Sequence, residues 1–245
     1  MDVHGPELVL LYALIPTLAT IAGSALIFLR ISVKEAFMDS FMGLASGLMI
    51  YVAFVELLIP SLNLGSLHFS FLGFLSGFLL IRVLDVLIPH TKLLKGDNSD
   101  LRGRKSLLVA LAIVLHNIPE GLAVGSATIY GADEGFKVSL SIATQDFPEG
   151  LAVALPVFKA SGSTLTGFII GVVSAFSEYL SALAALIGFM GVGDLLPLLM
   201  SFSASAMIYV VVHEIAPEIF GHEHDEYSTI GFVSGTILGL IFETL

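Results

Sequence analysis

HNIPEGLAVG at residues 116–125 sets a histidine, an amide and a carboxylate inside a long apolar stretch. QDFPEGLAVA at 145–154 repeats the pattern 29 residues later with PEGLAV unchanged. At about 100° per residue, with His116 at zero, Asn117 falls at about 100° and Glu120 at about 40° around a helix, so the glutamate lies between the other two. Gln145, Asp146 and Glu149 reproduce those angles. Two facing helices would therefore present two copies of one ligand triplet, each with a carboxylate able to bridge, and two adjacent cation sites would result. Imidazole beside carboxylate and amide oxygens suits Zn(II), Fe(II), Mn(II) or Cd(II) better than Mg(II) or Ca(II). Pro119 and Pro148 withhold amide hydrogen bonds from the carbonyls of Leu115 and Thr144, which predicts a kink and a freed oxygen in each helix. Gly121 and Gly150 allow a close helix approach beside them.

Further acids stand in apolar surroundings: Glu56, Glu178 and Glu214 join Glu120, Asp146 and Glu149. An ionised carboxylate in hydrocarbon costs several kcal/mol unless it is neutralised. Basic residues are nearly absent from these stretches, Arg82 near the end of the third being the exception. A cation pathway is the direct reading of such a charge pattern. The competing account is a polar cluster satisfied within the protein; it serves for a lone histidine and fails for a duplicated triplet.

The elements that must position these residues are membrane spans. The chain is 56% hydrophobic and 13% charged, against about 25% charged in a soluble domain, and apolar runs of about 20 residues follow one another with short polar breaks. Spans are expected near 8–30, 36–59, 67–90, 106–129, 137–158, 165–190, 195–219 and 228–244. The fold class is all-α, a polytopic membrane protein of eight transmembrane helices forming a single domain over 1–245, with one long loop at about 91–105. Acids at the start of the sequence argue for a retained first span rather than a cleaved leader. The chain has no cysteine, which excludes thiolate ligands and disulfides, and no tryptophan. Of ten Lys and Arg, all but Lys137 fall around the loops after spans 1, 3 and 5. Those loops are therefore expected in the cytoplasm, with both termini outside it.

A second repeat is subtler. MIYVAFVE at 49–56 is answered by MIYVVVHE at 207–214, which matches Glu56 to Glu214. Spans 4 and 5 run in opposite directions, as do 2 and 7, so inverted repeats relating spans 1–3 to 6–8 and 4 to 5 are expected, with a substrate site at their interface. Under that symmetry Glu56 and Glu214 fall toward opposite membrane faces as entrance and exit carboxylates, with His213 beside the latter; a water-solvated interfacial acid is the alternative for each.

HNxPEG on the fourth span and QDxPEG on the fifth, within eight spans, resemble the ZIP (zinc/iron-regulated transporter-like) family of divalent-metal transporters, its GufA-like prokaryotic branch in particular. The resemblance covers essentially the whole chain. It implies a binuclear site across spans 2, 4, 5 and 6: Met49, His116, Glu120, Gln145 and Glu149 around one metal, and Asn117, Glu120, Asp146, Glu149 and Glu178 around the other. It further implies Zn(II) as transported substrate, with Fe(II), Mn(II) and Cd(II) as candidates, and alternating access that delivers metal to the cytoplasm. Taken by itself, Met49 reads more simply as packing. Gln145 stands where many eukaryotic members carry histidine. The histidine-rich tract often found in loop 3–4 is lacking; GHEHDEY at 221–227 offers His222 and His224 for metal release, or reads as a solvated acidic turn.

Two other functions compete. An intramembrane metallohydrolase needs an HExxH helix, and HEIAP at 213–217 supplies only its first half. A metal sensor would bind without flux. No enzyme activity is expected, and no GxxxxGK[ST] suggests ATP use. The expected partners are metal ions and the lipid bilayer of the cell membrane, with no nucleic acid, and small-residue faces suit a homodimer.

Overall fold

A backbone in hydrocarbon must close its own hydrogen bonds, and this chain does so with helices. The computed structural model describes residues 6–29, 34–87, 117–191, 195–221 and 224–245. Among the described residues there is no strand, and eight helical rods follow in order. They are α1 (Pro6–Ala25, extended by a tight turn over Leu26–Leu29), α2 (Glu35–Asn63), α3 (Leu67–Leu87) and α4 (117–130), then α5 (Ala132–Ser161), α6 (Thr164–Gly191), α7 (Leu196–Ile219) and α8 (Asp225–Phe242). The expected all-α polytopic architecture is the one observed. The long loop at 91–105, the Leu115 carbonyl, His116 and His222 lie outside the described residues.

Among the described residues five rods are long and apolar enough to cross a membrane on length and composition alone: Pro6–Leu29, Glu35–Asn63, Leu67–Leu84, Thr164–Met190 and Leu196–Ile219. α5 falls outside that set because Gln145, Asp146 and Glu149 interrupt its apolar run, and α8 because it opens on Asp225 and Glu226. α5 also starts five residues before its expected span. Asp133 and Glu134 favour its first turn and Lys159 its last. Gly162, at φ 72°, ends it in the left-handed region and donates its N–H to the Phe158 carbonyl at 2.8 Å. The helix runs on through Pro148 and Pro156.

Two rods are not α-helical throughout. α2 widens to a π-helix over Val52–Leu58 and α7 over Val210–Ile215. Each stretch begins at the valine of a MIYV copy, and they carry Glu56 and Glu214. Pro60 and Pro217 follow closely, and neither has the N–H that would close an α-turn onto the carbonyl four residues back. The wider turn rotates the helix face that follows it, and both glutamates are buried.

The rods associate through glycine. Gly23 and Gly150 press α1 and α5 together, Gly121 and Gly125 do so for α4 and α6, Gly43, Gly47, Gly231 and Gly235 for α2 and α8, and Gly73 and Gly77 for α3 and α7. At each, an added Cβ would run into a backbone carbonyl of the facing helix. Each pair is parallel: Gly43 and Gly47 meet Ser228 and Phe232, while Gly121 and Gly125 meet Glu178 and Ala182. An inverted repeat that exchanges α1 with α6, α2 with α7, α3 with α8 and α4 with α5 maps α1/α5 onto α6/α4 and α2/α8 onto α7/α3. Two bundles result. α1, α4, α5 and α6 form one, and α2, α3, α7 and α8 the other, with α2 packed along α5 between them.

Candidate metal centre

Asp146 and Glu178 stand at the midpoints of α5 and α6, and Glu120 lies on α4 beside them. Helix packing sets their separation. Gly121 rests on the Glu178 carbonyl and Gly150 on the Thr20 carbonyl, so a larger residue at either would push apart the elements that carry the acids. Oxygens of Glu120, Asp146 and Glu149 approach within 4.8 Å of one another. The Gln145 Nε2 donates to Glu120 Oε1 at 2.7 Å, tying α5 to α4. The Glu178 carboxyl lies against that of Asp146 and within the field of Glu120 and Glu149. Asn117 is one turn before Glu120 on the same face of α4 and is buried.

Glu120, Asp146 and Glu178 are each 1% exposed and Gln145 is fully buried. Asn117 Oδ1, Glu120 Oε2, Gln145 Oε1, Asp146 Oδ1 and both oxygens of Glu178 are buried without a hydrogen-bond donor. Every one of these atoms is an acceptor. Buried acceptors without donors are expensive, and a group made of acceptors alone is completed by a cation. Oxygens from carboxylates and amides, converging from three helices, fit a divalent metal ion.

The expected ligands are thus brought together at Glu120, Gln145, Asp146, Glu149 and Glu178, with Asn117 adjoining. Met49 is buried on α2 in the apolar cluster that includes Ala123 and Val124 of α4 and Ile142 of α5. His116 lies one residue before the described part of α4. Of the expected entrance and exit groups, Glu56 and Glu214 sit on the two π-helical stretches. His213 is exposed, its ring 4.9 Å from that of Tyr209. His224 precedes α8 with its ring edge-on to Tyr227 at 6.2 Å.

Sequence reasoning missed α1. Thr20 Oγ1 donates to Asp146 Oδ2 at 3.2 Å and has the Pro16 carbonyl as its alternative acceptor at 3.1 Å. Ser24 reaches the Gly150 carbonyl at 3.1 Å, one turn further along both helices. Thr17, Thr20 and Ser24 form a hydroxyl stripe at spacings of three and four, which is the signal that could have drawn attention to this face.

A helical membrane chain that closes a group of buried oxygen acceptors at mid-helix is a protein built to hold cations within the bilayer. A family model described as ZIP zinc transporter matches residues 91–243. The zinc transporter GufA of Myxococcus xanthus is 33% identical over 70% of this chain and 68% of its own length. The zinc transporters ZupT of Oceanobacillus iheyensis and of Nitratidesulfovibrio vulgaris are 30% and 33% identical, covering 94% and 84% of this chain and 95% and 86% of their own lengths. The likeness therefore runs through both bundles, and the chain belongs to the ZIP family.

Proposed function

We infer that this chain is a divalent-metal transporter that carries Zn(II) across the membrane. The supporting observation is the group of oxygens on Glu120, Gln145, Asp146 and Glu178 buried without donors, with the Glu149 carboxylate beside them, where α4, α5 and α6 meet. Fe(II), Mn(II) and Cd(II) are further substrates of the same reading, since oxygen-rich sites discriminate weakly among such ions. His116, Glu120, Gln145 and Glu149, with Met49, hold one metal. Asn117, Asp146 and Glu178 hold the second and share Glu120 and Glu149 with the first. Metal enters past Glu56 and leaves past Glu214 and His213, with His222 and His224 beyond. The concentration of Lys and Arg in three loops supports cytoplasmic loops, outside termini and import by alternating access. The chain acts as one transmembrane domain, and its small-residue faces support a homodimer.

Zinc uptake by liposomes carrying the purified protein tests this reading. It should vanish in Glu120→Ala and Glu149→Ala variants that fold and insert normally, and wild-type rates in both would overturn it. A sensor would bind zinc in the same liposomes without moving it. The metallohydrolase reading finds little support, because Pro217 replaces the second histidine of HExxH and the ring of His213 is exposed against Tyr209.

A further inference from the structure

An ion pair joins the two bundles outside the buried acid group, where α8 ends and α5 begins. Lys137 of α5 has its Nζ 3.5 Å from Glu243 Oε2 and donates to the Glu243 carbonyl at 3.1 Å, at the end of α8. The Glu243 carboxyl in turn meets that of Glu56, and Glu134, one turn before Lys137, adds its charge to the same place. One lysine thus contacts Glu243 and bears on Glu56 behind it. Glu56 is 4% exposed whereas Glu243 is about half exposed, so the group opens outward at Glu243 and closes inward at Glu56.

Tyr51 forms the floor. Its ring packs on Gly239, one turn before Glu243, and its hydroxyl is buried, has no hydrogen-bond partner and lies in the field of both Glu56 and Glu243. A phenol oxygen, two carboxylates and a helix-terminal carbonyl make an all-oxygen set. One ammonium neutralises this set incompletely, and a doubly charged ion would neutralise it better. We propose that Glu56, Glu243 and Tyr51 form an outlying divalent-cation seat, in which the Lys137 ammonium holds the ion's place and ties the bundles together until metal displaces it.

The seat with its lysine straddles the boundary between the bundles, since Lys137 rides on α5 while Tyr51, Glu56 and Glu243 belong to α2 and α8. Displacing the lysine would release the tie at this face. An ion pair open to water on its glutamate side is weaker than a fully buried one and yields more readily to a competitor. The seat depends on the metal-transport reading only for the identity of the ion.

Acylation of Lys137 by a water-soluble reagent, followed by peptide mass spectrometry on the full chain in lipid nanodiscs, reads the displacement directly. Zn(II) or Cd(II) alone should raise the labelling several-fold and saturably. The rise should disappear in Glu56→Gln and Glu243→Gln, and should survive in Glu120→Gln, where the buried centre is crippled. Labelling of the wild-type protein that stays flat or falls with either metal would overturn the proposal. So would an undiminished rise in Glu56→Gln, or a rise lost in folded Glu120→Gln, because the lysine would then follow the buried centre. Failure of zinc uptake in liposomes with the labelling response intact would overturn the transport reading and leave the seat standing.

Discussion

The inverted repeat runs within each of the two bundles, and both share one packing device, glycine against carbonyl, yet they bury different chemistry. In α1, α4, α5 and α6 buried hydroxyls such as those of Thr17 and Thr128 close onto helix carbonyls, but carboxylate and amide oxygens of Asn117, Glu120, Gln145, Asp146 and Glu178 are buried without donors. In α2, α3, α7 and α8 they are mostly serines that close their bonds locally or on each other: Ser46 donates to the Met42 carbonyl, Ser61 and Ser201 share a hydrogen bond, and Ser70 donates to the Ser61 carbonyl. The buried acids of the second bundle, Glu56 and Glu214, stand instead on its π-helical stretches. One bundle is stabilised by its polar groups, and the other carries them at a cost that a cation would relieve.

That contrast predicts opposite signs for function and stability. In Glu120→Gln and Asp146→Asn, each of which removes one buried charge, zinc uptake should fall by roughly 100-fold or more, because metal ligands outrank the outer-shell groups whose loss costs 10–100-fold. In the presence of a chelator the same variants should unfold at higher temperature, by the equivalent of about 1–4 kcal/mol. With zinc at about 100 times its dissociation constant wild type alone should gain about 2.7 kcal/mol, which reverses the order wherever the variants' advantage is smaller than that. Thermal unfolding in detergent with and without metal reads both signs. Variants destabilised under chelation would break the comparison.

A smaller effect is expected at Thr20, a positioning residue that touches Asp146 and acts through it. Thr20→Val keeps the shape and removes the hydroxyl that holds Asp146 Oδ2. Zinc affinity should weaken by about tenfold, seen as a raised KM with little change in maximal rate, and Thr20→Ser should restore it. Equal losses in Thr20→Val and Thr20→Ser would assign the residue to packing alone.

Much of this arrangement is legible in the sequence alone. Repeated PEGLAV words carry Glu120 of α4 and Glu149 of α5, because two polar triplets at the same helical spacing beside an identical word seldom arise by composition. Glu178 is legible as an acid among small residues. Thr20 is not, because a threonine that back-bonds to the Pro16 carbonyl leaves the same sequence trace as one that also holds Asp146. The π-helical turns are half legible: the MIYV repeat marks both places, but a change of helical pitch leaves no periodicity signal over six or seven residues. Nor can the Lys137 and Glu243 pair be read from spacing, since 106 residues separate them and only the meeting of α5 with α8 brings them together.

The smallest effect sharpens the comparison from the other side. Ser61, at the end of α2, donates to the Leu58 carbonyl at 2.7 Å, shares a 2.7 Å hydrogen bond with Ser201 of α7, and accepts from Ser70 of α3 through its carbonyl at 3.0 Å. Ser61→Ala removes its hydroxyl and leaves that of Ser201 without this partner in a fully buried place. Stability should fall by about 1 kcal/mol, read as a lower unfolding temperature in detergent whether or not zinc is present. Zinc uptake per folded molecule should be unchanged, because these serines join helices of the second bundle and touch none of the acids of the first. An uptake defect larger than the loss of folded protein would mean that these serines of the second bundle also shape the metal centre.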